Sequence, residues 1–412
     1  MHRLTARPLP RFALFLIALT LGAHAQTYTV IHNFTGGADG ANPIAGLTMD
    51  RAGNLYGTTF AGGGGSCTNT YEGTGCGAVF KLTRAGAGWT LAPLYDFHGV
   101  FDGAGPWSGV VFGQDGRLYG TATAGGMNRC DPFLNLNGCG VVYSLTPPAR
   151  TCSRTSCVWR EVPIYSFFSE LEESNPLGSV VFDAAGNLYG TTIYGNNFVY
   201  KLTPNHGGWL ESTLYDFDYI RDGNYPVAGV TFDNQGNLYG TTSSGGTIGW
   251  GTVFQLSPSG EGWTENTLHY FQGGDDGGAP WAGLTLDQHG NLFGATSCGT
   301  VFELTPSGGG WSYSDLYDFN FDGCGEGPNG NLILDAAGNI YGTTWVSVFK
   351  LTPSNGSWSY SSLHDFGNGM GGSTPYGGLV FDANGNLYGT AYYGGTGTAC
   401  PSGCGVVFEI TP

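Results

Sequence analysis

The sequence predicts an all-β chain folded as a seven-bladed β-propeller of four-stranded antiparallel blades, the ring closed by an N-terminal outer strand that completes the C-terminal blade. Three observations carry this. One line recurs seven times: MDRAGNLYGTT from Met49, FGQDGRLYGTA from Phe112, FDAAGNLYGTT from Phe182, FDNQGNLYGTT from Phe232, LDQHGNLFGAT from Leu286, LDAAGNIYGTT from Leu334 and FDANGNLYGTA from Phe381. The landmarks around that line keep fixed spacings. The two ends of the chain are complementary fragments of one repeat.

Each repeat divides into four strand-like pieces. An outer piece ends at Phe34, Phe97, Phe167, Phe217, Phe271, Phe319 or Phe366, usually in an LYDF-like run. Nine residues later in all seven copies stands a proline, so the repeat cores begin near residues 43, 106, 176, 226, 280, 328 and 375. Ten residues further comes the Gly of GNLYG, and a TVFKLTP-like piece follows. From the axis outward these become strands A (PVAGVTFD and its equivalents), B (NLYGTT), C (TVFQLSP) and D (WTENTLHYF).

Around Phe232, apolar residues alternate through Val230 and Phe232, a turn spans 233–236, and alternation resumes at Leu238. Gly236 supplies the left-handed turn residue that a Cβ would resist. An Asp at the turn start caps the turn's N–H groups with its own side chain. Asp50, Asp183, Asp233, Asp287, Asp335 and Asp382 therefore read as turn formers rather than ligands. Trp89, Trp159, Trp209, Trp263, Trp311 and Trp358 open strand D in six copies, a fixed place that suits packing between blades.

The N-terminal piece TYTVIHNF, Thr27 to Phe34, is a lone strand D, and the chain ends after the strand C of the seventh repeat. Joined in one sheet, they close the ring and leave no sheet edge between blades. A linear β-solenoid would need atypical repeats at both ends.

Residues 26–412 are read as this single propeller. Ahead of it, Arg3, Arg7 and Arg11 precede the apolar run Phe12 to Leu21 and the small-x-small pattern Ala23-His24-Ala25. That is the pattern of a secretory signal peptide over residues 1–25, which predicts a secreted, extracellular or periplasmic chain acting as a monomer with no membrane span. With 14 Lys and Arg against 31 Asp and Glu, the net charge of -17 argues against nucleic acid as a partner.

The B–C and D–A connections share one face of the ring. From the last Gly of GNLYG to the aromatic of strand C is 23 residues in the first two blades and 7 in the sixth. Loops that vary over a rigid scaffold are where specificity resides. The ten cysteines, an even number, suit an oxidising compartment. Their places in these loops predict the pairs Cys67–Cys76, Cys130–Cys139, Cys298–Cys324 and Cys400–Cys404, with Cys152–Cys157 in an insertion of the second blade; their spacing does not suit zinc.

Two sets of residues are candidates for ligand binding. Asp39, Asp102, Glu172, Asp222 and Asp276 stand five residues after the strand D Phe, and Asp322 stands two residues earlier in the sixth copy. They either shape their loops or present oxygens to Ca²⁺ or another cation. Trp107, Trp281 and Tyr376 follow the repeat prolines at the entry to the innermost strand. They either plug the channel or offer faces to sugar rings. No catalytic motif is present, and the separation of carboxylates, which decides glycoside hydrolysis, is not readable from sequence.

The units GNLYGTTSSGG through GTVFQLSPSG closely resemble the GloVer tandem repeats of the "choice-of-anchor" bacterial surface proteins, over essentially the whole chain after residue 25. The D..GNLY turn is more distantly similar to NHL and gluconolactonase-type propellers, and the order Gly-Gly, aromatic, Trp to kelch repeats. The resemblance implies an exported bacterial repeat protein and carries over no catalytic residue. Unlike the anchored members, this chain shows no lipobox Cys near the cleavage site and no apolar tail before Pro412, so anchoring does not carry over. The expected role is a binding or cell-surface interaction module, for a polysaccharide or a cell-surface protein. An extracellular polysaccharide hydrolase or lyase and a structural envelope protein are the alternatives.

Overall fold

The computed structural model describes residues 26–411 apart from 70–72, 128–129, 131–135, 150–157, 169–172, 196, 261, 322 and 368. Residues 1–25, expected to be a signal peptide, the expected Cys152–Cys157 pair, Glu172 and Asp322 lie outside the described residues.

Seven four-stranded antiparallel sheets form the propeller. Their innermost strands A are Thr48–Met49, Val111–Phe112, Val181–Phe182, Thr231–Phe232, Thr285–Leu286, Ile333–Leu334 and Val380–Phe381, heading blades 1 to 7. Blade 4 shows the plan, continuing with Leu238–Thr242, Thr252–Ser259 and Gly262–Tyr270 as strands B, C and D. Blade 7 takes its outer strand from the N-terminus: Thr27–Asn33 pairs antiparallel with Val406–Thr411, from Thr27 opposite Thr411 to Asn33 opposite Val406. Across the closure Arg84 of blade 1 reaches Glu409 at 2.6 Å and the Tyr388 hydroxyl at 2.6 Å.

The repeated turn is locked by its Asp. In blade 4, Oδ1 of Asp233 accepts from the N–H groups of Gln235 and Asn237 at 2.8 and 2.9 Å, while Oδ2 accepts from the Asn237 amide at 2.6 Å and the Tyr239 hydroxyl at 3.0 Å. Gly236 sits at φ +88° with open space around its Cβ position, so backbone conformation alone calls for glycine there. Burial pushes the Asp233 carboxyl up, and these hydrogen bonds outweigh it and hold the carboxyl below the usual range.

The Tyr of GNLYG also joins neighbouring blades. Tyr189 of blade 3 meets Phe232 of blade 4 edge-on at 4.9 Å and Trp263 of blade 4 at 6.3 Å, while its hydroxyl donates to its own Asp183 at 3.0 Å. Tyr119 repeats this with Phe182 and Trp209 of blade 3. The strand D tryptophans therefore pack between blades, as their fixed place suggests.

The first Thr of GTT ties blades nearer the axis. Thr58, Thr191, Thr241, Thr343 and Thr390 donate at 2.8 to 3.1 Å to the carbonyls of Ser108, Ala228, Ala282, Gly377 and Ala45, each at the strand A entry of the following blade. Blade 5 carries Ala295 there, and Asn331 of blade 6 instead accepts from the Gly283 N–H at 2.8 Å. Inner strands approach so closely that a Cβ at Gly46 would lie 2.8 Å from the Gly378 carbonyl oxygen.

One regularity was not anticipated from the sequence. Every C–D pair carries a register shift that leaves one strand D residue unopposed: Ile31, Leu94, Ile164, Leu214, Leu268, Leu316 or Leu363. This is the Leu of LYDF. A bulge bends and twists the outer strand, and these side chains pack against the inter-blade cores.

Acidic groups are half-buried at two junctions. Glu161 of blade 2 lies in the field of Asp102, which accepts from the Tyr95 hydroxyl of blade 1 at 2.7 Å, and its Oε1 is buried with no hydrogen-bond partner among the described residues. Burial first, then the Asp102 charge, pushes Glu161 up to about 8. Burial likewise pushes Glu265 up to about 7 beside Asp222.

Two outcomes follow. Tyr189→Phe should cost about 1 kcal/mol in chemical denaturation, through the lost bond to Asp183, and Tyr189→Ala about 3–5 kcal/mol, through the emptied junction. A carboxyl whose folded pKa is raised stabilises the fold at low pH and loses that contribution as pH rises toward the folded value. Between about pH 4.5 and 8, the Tm of the native chain should therefore fall more than that of Glu161→Gln, and the variant should melt higher at pH 8; equal slopes in a thermal-shift series would contradict this.

Candidate functional site

The A strands surround a central cavity of about 1030 Å³ that opens on the loop face. Its walls are the Gly-rich inner strands, whose leucines and valines such as Leu47, Val110 and Leu284 turn into the blade cores, and among the described residues none of the lining is Asp, Glu, Lys, Arg or His. On a chain of net charge -17, an uncharged cavity is a chemical selection.

All seven repeats deliver one residue to the mouth, because the proline fixes the chain just before strand A. Trp107, Trp281 and Tyr376 line the cavity together with Ile44, Leu177, Val227 and Asn329. Trp107 is half-buried and packs edge-on against buried Phe60 at 5.5 Å. Tyr376 is half-buried against Tyr392 at 5.6 Å. Trp281 is 44% exposed. The channel is open, and of the three only Trp281 presents much free surface.

The acidic candidates are elsewhere. Asp39, Asp102, Asp222 and Asp276 do not line the cavity. Each is folded into its own D–A loop. Asp39 accepts from the Thr35 N–H at 2.9 Å, Asp102 from the N–H groups of His98 and Gly99 at 2.9 and 3.1 Å, Asp222 from the Asp218 N–H at 2.7 Å, and Asp276 from the Gln272 N–H at 3.1 Å. The side chain before the DF of strand D completes each set: His32 meets Asp39 at 3.2 Å, Tyr95 meets Asp102, Tyr215 meets Asp222, and His269 meets Asp276 at 3.0 Å. His32 and His269 thus stand where other blades use Tyr. Among the described residues no group of three or more His, Cys, Asp or Glu is arranged to hold a metal ion.

The loop face is braced covalently. The disulfides Cys67–Cys76, Cys130–Cys139, Cys298–Cys324 and Cys400–Cys404 are formed as expected. Backbone bridges Ala41–Ala61, Ala104–Ala124, Asn224–Ser244 and Ser373–Tyr393 join the D–A connection to the B–C loop of the same blade, which places both connections on one face.

A model of the Gloeobacter/Verrucomicrobia repeat matches residues 16–218, 193–347 and 297–412. The chain belongs to this repeat family. The resemblance read from the sequence is thereby confirmed. No curated protein matches the chain at a significant level. Among solved structures, virginiamycin B lyase from Staphylococcus aureus is similar with a TM-score of 0.56 at 14% identity, covering 94% of this chain and 99% of that one. The extracellular domain of a protein assigned as a hybrid two component system from B. thetaiotaomicron gives 0.54 at 13% identity, covering 94% of this chain and 42% of that one. At such identities the likeness concerns the fold alone.

In the variable B–C loops the sequence reading missed two tryptophans. Trp345, 38% exposed, lines the cavity from the short B–C loop of blade 6, and its indole N–H donates to Thr374 at 2.9 Å. Trp250, 41% exposed, stands in the blade 4 loop against the backbone of Gly273 and Gly278. The signal was available: the shortest B–C loop, that of blade 6, is given over largely to Trp345 and Val346.

Trp107, unlike Trp281, is part of the wall. Trp107→Ala should lower the Tm by several degrees, whereas Trp281→Ala should melt within about 1 °C of the native chain by calorimetry.

Proposed function

We propose that this repeat-family propeller is an exported binding module that takes a carbohydrate chain at the mouth of its central channel. The observation that carries the reading is an open cavity with aromatic side chains at its rim and, among the described residues, no charged group in its lining. Sugar rings offer apolar faces to such side chains and hydroxyls to the backbone groups and amides between them. Glycoside hydrolysis ordinarily calls for two carboxyls about 5 to 9.5 Å apart across the bond to be cut. Among the described residues the lining supplies none, which favours binding over hydrolysis. Export accords with the disulfides and the N-terminal pattern of residues 1–25.

The test is a polysaccharide array probed with the purified chain, with and without Ca²⁺, following retention and the release of reducing ends. Retention without release is expected, reduced about tenfold by Trp281→Ala. Ca²⁺ should change it little, because Asp39, Asp102, Asp222 and Asp276 already hold their own loops. Release of reducing ends would install the hydrolase or lyase reading, and retention indifferent to Trp281→Ala would move the site away from the channel.

A further inference from the structure

The mouth of the channel is not equivalent all round. From blade 5 through blade 7 it carries Trp281, Asn329, Trp345 and Tyr376, whereas blades 1, 3 and 4 contribute Ile44, Leu177 and Val227 and blade 2 contributes Trp107, which is packed against Phe60. Trp345 is pinned by its indole bond to Thr374 and stands 6.2 Å from Tyr376 at 44°, yet keeps 38% of its surface free. The loop beneath is held twice, by the Trp345 N–H to the Glu326 carbonyl at 3.1 Å and by the Cys298–Cys324 disulfide. A ring so fixed loses little entropy when a ligand covers it.

Asn329 sits between the two tryptophans in blade order and is the only amide among the seven residues that follow the repeat prolines. Its side chain makes no hydrogen bond within the described residues, unlike Asn331 two residues on, which accepts from Gly283. It brings two donors and an acceptor to an uncharged wall.

We infer that Trp281, Asn329 and Trp345 form a subsite for one ring of an uncharged glycan, the indoles covering its faces and the Asn329 amide pairing with its hydroxyls. This rests on the carbohydrate reading above and narrows it. Uronic or sulfated sugars would enter a cavity whose described residues include no cation, on a chain of net charge -17, and the desolvation of an unpaired charge opposes that.

The experiment is calorimetric titration of residues 26–412 with neutral hexasaccharides (glucan, xylan and mannan types) and with oligogalacturonate and alginate fragments. At least one neutral series should bind at least tenfold more tightly than either anionic series. Asn329→Ala and Trp345→Ala should each weaken it about tenfold, Trp345→Phe should restore most of the loss, and Leu177→Ala across the mouth should stay within about twofold. Trp345→Phe separates loss of the aromatic face from misfolding. Equal binding of the anionic series would overturn the selectivity. Loss with Trp281→Ala but not with Asn329→Ala and Trp345→Ala would overturn the subsite and leave the carbohydrate reading standing. Binding of no oligosaccharide would overturn both.

Discussion

The tyrosine of GNLYG is the contact on which this architecture depends. Its hydroxyl binds the Asp that shapes its own A–B turn, and its ring meets strand A and strand D of the next blade, as Tyr189 does with Asp183, Phe232 and Trp263. Turn geometry and blade spacing are thereby set by one side chain, which is why turn and strand recur together. Blade 5 has Phe293 in place of the Tyr and keeps the turn through Asp287, Asn291 and His289. The ring is therefore the part common to all seven junctions, with the hydroxyl adding to it.

Holding seven inner strands this close has a consequence for chemistry. The threonines of strand B occupy carbonyls at the strand A entries, and glycines line the closest approaches, so little room remains near the axis for long polar side chains. Among the described residues the cavity lining is uncharged because its walls are packing elements. Chemical individuality enters at its rim, through the residue after each proline and the B–C loops, where disulfides and backbone bridges restrain segments that have no sheet to hold them. Half-buried acids such as Glu161 belong to the blade junctions instead, where they couple stability to pH.

Blade number, strand order, closure and four disulfide pairs were legible in the sequence because each follows from spacing, and spacing is what a repeat preserves. The LYDF run was visible but not its meaning. A bulge at Leu214 and a hydroxyl bond from Tyr215 to Asp222 depend on register and on a loop folding back, neither of which alternation encodes. The same folding back separates Asp39, Asp102, Asp222 and Asp276 from the channel that their face surrounds. Trp345 and Trp250 were missed for the opposite reason: they occur once each, in loops outside the repeat, so no recurrence marked them. Nothing in the repeat pattern marked Asn329, and its significance comes from an amide that makes no hydrogen bond within the described residues.

The most direct test of the channel as the ligand site is a crystal structure of residues 26–412 soaked with a neutral oligosaccharide that they retain. The account predicts a sugar ring at the mouth, in contact with Trp281 and Trp345 and within hydrogen-bond distance of the Asn329 amide. Density for the sugar on the D–A loops around Asp102 or Asp222, or on the outer strands, with the channel mouth left to solvent, would contradict it.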